Sequence, residues 1–79
     1  MAKKMSPANI TLDVTHYLVM CIGMFARQYN ITLREAYNYV SRFMGLQFVI
    51  DNYEAEHQLS LQDCVDDMYA ICRKNGGEL

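Results

Sequence analysis

At 79 residues the chain makes one domain, with an ordered core expected over about 8–75, and a domain this small buries only a modest share of its surface. It is 52% hydrophobic and 20% charged, apolar-heavy for its size, so it either packs a dense core or covers apolar surface with a partner. The net charge of −2 carries no basic footprint, which argues against nucleic acid and against an anionic membrane surface as partners.

The opening MAKKMSPANI has charge but no apolar run behind it, so no secretory signal is expected. Three cysteines, Cys21, Cys64 and Cys72, are an odd number without a short pairing motif. They fit a reducing cytoplasm, where they act as small buried apolar groups. Zinc wants paired Cys or His at close spacing, which is absent here. No metal and no cofactor is expected.

Four helical segments can be read, with no strand-like alternation. The first runs from about Ala8 to Tyr29, with Ser6 and Pro7 as one start and Asp13 as another. VTHYLVMCIGMFA (14–26) is too short for a bilayer and apolar nearly all round. Such a helix is expected to be buried on more than one side, either at the centre of the bundle or in an oligomer interface. His16 either pairs with Asp13 or faces a partner.

The second helix opens with the capping box TLRE, Thr32 to Glu35, with Ile31 as the staple residue. Leu33, Ala36, Tyr37, Val40 and Met44 form its expected core stripe, and Gly45 is expected to end it in a left-handed conformation. The third helix covers about Leu46 to Glu56, with Leu46, Val49, Ile50 and Tyr53 inward. Ser60 with Asp63 caps the fourth, whose stripe is Leu61, Cys64, Val65, Met68 and Cys72. Asp63, Asp66 and Asp67 near its start and Arg73 and Lys74 near its end suit the helix dipole. Asn75-Gly76-Gly77 stops it. The expected fold is therefore all-α, a small bundle of four helices joined by short loops.

NYEAEH, residues 52–57, gathers acid, tyrosine and histidine in little more than a turn. Tyr53 and His57, four apart, share a face, Glu54 and His57, three apart, can also meet, and Glu56 points elsewhere. Glu54 can orient His57 as half of a dyad, yet no nucleophile has an equal claim to be near, so no catalytic residue is named. The plainer alternative is that Tyr53 anchors the helix while His57 caps its C-terminus. Among the other aromatics, Tyr39 and Phe43 fall outside the expected stripe of the second helix and make a ridge, and Tyr69 sits at the edge of its own. With Met20 and Met24 they are the candidate interface residues, unless they complete an ordinary core.

CIGMFA (21–26), NITLREAYNYV (30–40) and NYEAEH together resemble an uncharacterised bacterial family of short helical proteins. It is a domain of unknown function with a Cys-Ile-Glu-x-Tyr-Ala helix and a closing Tyr-x-x-Leu-His-Thr motif. The resemblance spans roughly Tyr17 to Cys72. Cys21, Ile22, Ala26, Tyr53 and His57 match, and Phe25 replaces one aromatic with another. Gly23 stands where the family has glutamate, Glu56 where it has leucine and Gln58 where it has threonine. Gly23 also hints at close helix packing or an interface. Genes for ADP-ribosyltransferase-like toxin domains often lie beside members of the family, so the resemblance implies an accessory or antitoxin-like binder.

The expected function is thus a non-enzymatic interaction module, self-associating or bound to a neighbour-encoded protein. A small DNA-binding regulator is one alternative, since TLREAYNYVSRFMG looks like part of a helix-turn-helix, although Arg34 and Arg42 are too few to track phosphates. A minor ligand or metal site at Glu54 and His57 is the other.

Overall fold

In the computed structural model, which describes residues 12–79, helix α1 spans Leu12–Tyr29. The proposed starts at Ser6, Pro7 and Ala8 lie outside the described residues. Val14, Tyr17, Leu18, Cys21, Phe25 and Ala26 form one buried stripe along α1. The helix is not buried all round, because only one flank meets other helices: Val19 and Met20 remain 63% and 52% exposed. Asn30 closes α1 in the left-handed region at φ 54°. The Ile31 N–H reaches the Ala26 carbonyl at 3.0 Å and the Asn30 N–H the Arg27 carbonyl at 3.3 Å, a Schellman ending with asparagine in the usual glycine place.

Helix α2, Leu33–Arg42, begins at the expected capping box: the Glu35 N–H donates to Thr32 Oγ1 at 3.0 Å and the Thr32 N–H to Glu35 Oε1 at 2.8 Å. Its core face differs from the expected stripe. Ala36, Tyr39 and Val40 are buried with Phe43 packed beside them, while Leu33 and Tyr37 stand 62% and 51% exposed and Met44 is also wet. Both stripes contain Ala36 and Val40, and the neighbouring helices decide between them. Tyr39 lies 5.7 Å from the Phe25 ring and 6.4 Å from that of Tyr69, so turning it inward completes an aromatic cluster.

Met44, not Gly45, takes the left-handed turn, at φ 72°. Gly45 opens α3, Gly45–Asp51, for a different reason. A Cβ there would stand 2.7 Å from Cys72 Sγ and 3.1 Å from the Met68 carbonyl oxygen, so only glycine lets α3 lie this close to the last helix. The expected third helix is broken at Asn52, whose side-chain amide donates to the Phe48 carbonyl at 2.9 Å, competing with the backbone ladder. A single turn, α4, Tyr53–Glu56, follows.

Helix α5, Leu61–Lys74, starts where the Asp63 N–H donates to Ser60 Oγ at 3.0 Å. Cys64, Val65, Met68 and Cys72 are wholly buried. The helix ends in a second Schellman turn at Gly76 (φ 90°), with the Gly77 N–H on the Cys72 carbonyl at 2.8 Å and the Phe43 ring lying over Gly77. α5 packs chiefly against α3 and α1, and α1 also against α2. The fold is a small all-α bundle with no strand among the described residues, four of its five helices being seven residues or longer. None of the described helices is long and apolar enough to cross a membrane.

Candidate functional site

Tyr17 and Cys21 lie one turn apart on the buried stripe of α1, facing Cys64 on α5 and Glu56 at the end of α4. The Tyr17 hydroxyl donates to the Glu56 carbonyl at 2.8 Å, tying α1 to the last turn of α4. Sγ of Cys21 donates to Sγ of Cys64 at 3.5 Å, across two elements 43 residues apart. All three cysteines are free thiols.

The Glu56 carboxyl belongs to this cluster. Glu56 was expected to point away from the motif face; it is only 6% exposed, and its Oε1 has no hydrogen-bond partner. Loss of water favours its neutral form, and the Asp67 carboxylate beside it adds to the effect against a smaller opposing contact with Cys64, so its pKa is pushed up to about 7. Burial, together with the neighbouring thiols, raises the Tyr17 phenol well above its ordinary range. When Cys21 ionises, the Cys64 S–H can turn to donate to the thiolate. That contact lowers the Cys21 pKa against the effect of burial and raises that of Cys64. The result is a closed polar knot in an apolar core, able to share protons but not open to a substrate.

Tyr53 and His57 form a second feature at its edge. Their rings stack at 4.5 Å with 14° between planes, and Tyr53 meets Tyr17 edge-on at 5.5 Å. His57 Nδ1 is 2.7 Å from the Tyr53 carbonyl. A carbonyl only accepts, so Nδ1 carries a proton and donates it to this bond. The exposed histidine is therefore oriented by backbone rather than by Glu54, in keeping with its expected capping place. Among the described residues no group of three or more His, Cys, Asp or Glu is arranged to hold a metal ion.

The expected interface residues divide. Met20 is exposed. Met24, Phe43 and Tyr69 are partly buried against the core, and Tyr39 is fully inside it, so the Tyr39–Phe43 ridge is not a free surface. Tyr69 stacks on Tyr29 at 4.7 Å, and Arg73 lies over its ring at 6.0 Å. The Tyr39 hydroxyl pays for this placement by having no partner, and burial pushes its pKa up to about 12. Besides Leu12, Met44, Leu59 and Leu79, the large apolar side chains left exposed include Val19 and Met20 on α1 and Leu33 and Tyr37 on α2. Beside them, an open cleft of about 460 Å³ runs between the end of α1 and the start of α2, lined by Gly23, Ala26, Arg27, Asn30, Ile31 and Leu33. A Cβ on Gly23 would meet nothing within 4 Å, so none of the described helices approaches it closely.

A family model described as a protein of unknown function, DUF3791, matches residues 16–75, from α1 to the cap of α5. No curated protein matches, and no solved structure does.

Proposed function

The chain belongs to the DUF3791 family of proteins of unknown function, and we propose that it works as a non-enzymatic interaction module through the outer faces of α1 and α2. The observation that carries this is the set of large apolar side chains left in water there: Val19, Met20, Leu33 and Tyr37, each more than half exposed. A small domain gains by covering such groups, and Met and Tyr are favoured contact residues. The open space over Gly23 leaves room for a partner side chain. The polar knot supports a non-enzymatic role, since Cys21 and Cys64 are wholly buried and Glu56 nearly so. The partner is a second copy or a neighbour-encoded protein, the latter drawn from the toxin-gene association of the family resemblance.

The test is light scattering after size-exclusion chromatography, on the chain alone and co-expressed with its native neighbours. Met20→Lys and Tyr37→Glu should each abolish the assembly while the helical circular dichroism signal stays unchanged. A monomer that co-purifies with none of its neighbours would refute the proposal, as would an assembly indifferent to both substitutions.

A further inference from the structure

We propose that Cys21 and Cys64 form an intramolecular disulfide when the protein meets a peroxide, making this pair an oxidative modification site that clamps α1 to α5. The two sulfurs already touch at 3.5 Å, so a bond of about 2.05 Å asks for roughly 1.5 Å of further approach. Two thiols meeting by chance in a core would be inert packing. This pair differs because polar groups surround it. The Cys64 thiol, and after it the Tyr17 hydroxyl, favour the thiolate of Cys21, against the opposing effects of burial and of the Glu56 charge. The third cysteine is set apart, with its sulfur against Gly45 on the α3 side.

The chemistry balances with hydrogen peroxide as the oxidant. The Cys21 thiolate attacks one peroxide oxygen, the O–O bond breaks, and the departing hydroxide takes up the proton lost by Cys21, giving water and a sulfenic acid. Cys64 attacks the Cys21 sulfur and gives up its proton. The S–S bond forms, the S–O bond breaks, and the hydroxide released collects that proton as a second water. Two thiols have lost two electrons and one peroxide has gained them. Both sulfurs are fully buried, so the oxidant enters during openings of the α1–α5 contact, which favours a small peroxide over a bulky disulfide reagent.

The experiment uses the intact, reduced chain. It is exposed to excess hydrogen peroxide under native conditions, then denatured in an alkylating reagent and mass-mapped. The expected product is a monomer that has lost two hydrogens, with one peptide pair joined through Cys21 and Cys64 and only Cys72 alkylated. The clamp closes a loop across 43 residues, so its melting temperature should rise by on the order of 10 °C and fall back on reduction. The Cys72→Ala variant should oxidise in the same way, and Cys21→Ser should yield no intramolecular link. Full alkylation of all three cysteines would overturn the proposal. So would a link through Cys72, or dimers in place of the internal bond.

Discussion

Replacing Glu56 by glutamine isolates the cost of burying its carboxyl. In the folded chain this group titrates near 7, against 4.5 for an ordinary glutamate. Below about pH 4.5 it is protonated in both states, and the folded protein carries no penalty. Between 4.5 and 7 the unfolded chain releases the proton while the folded chain keeps it, so stability falls as pH rises; above 7 both are ionised and the loss is complete. At about 1.36 kcal/mol per pKa unit, the gap from 4.5 to about 7 corresponds to roughly 3 kcal/mol. The total stability of a chain this long is only about 4–12 kcal/mol. Glutamine has nearly the same shape and no charge to lose. Urea denaturation followed by circular dichroism, on both proteins from pH 4.5 to 8.5, should show the glutamine variant gaining on the native chain across that window and levelling off above it. Removing the Asp67 charge with Asp67→Asn should shrink the native protein's slope. A difference between Glu56 and glutamine that stays constant with pH would refute the reasoning, because it would place the carboxyl in water.

Two glycines should respond oppositely to alanine. Gly23→Ala fills open space within a helix and should add about 0.5–1 kcal/mol, whereas Gly45→Ala drives a methyl into Cys72 and the Met68 carbonyl and should cost about 1–3 kcal/mol; thermal melts of both variants check this. Tyr39→Phe removes a buried hydroxyl with no partner and should stabilise the fold by about 1 kcal/mol. A lowered melting temperature in that variant would show that the hydroxyl is hydrogen-bonded in the folded protein.

Local chemistry made much of the fold legible. Thr32 with Glu35 and Ser60 with Asp63 satisfy helix ends through residues three apart, so their signatures survive without knowledge of the neighbours. The face of α2 is another matter. Tyr37 and Tyr39 are alike in sequence, and only the position of Phe25 and Tyr69 decides which one turns inward. Gly45 reads as a helix stop until α5 is placed against it, and Met44 gives no sign of a left-handed backbone. Asn52 breaks the third helix through a side-chain bond that competes closely with simple continuation. The site suffered most. Glu56 reads only as pointing away from His57, with nothing local to mark it as buried, and Cys21 meets Cys64 only through the packing of α1 on α5. His57 as a helix cap was legible, since its partner is four residues away.

The central place of α5 bears on how the chain acquires its structure during synthesis. Cys64, Val65, Met68 and Cys72 supply one wall of the core and are wholly enclosed by α1, α2 and α3. Until α5 has been added, those three helices touch one another but lack that wall of the core. At about 5–20 residues per second, the fourteen residues of α5 alone leave the nascent chain unfinished for on the order of a second. The full core therefore closes only once α5 is in place, and a chain stopped before α5 would leave apolar side chains of α1 and α3 uncovered.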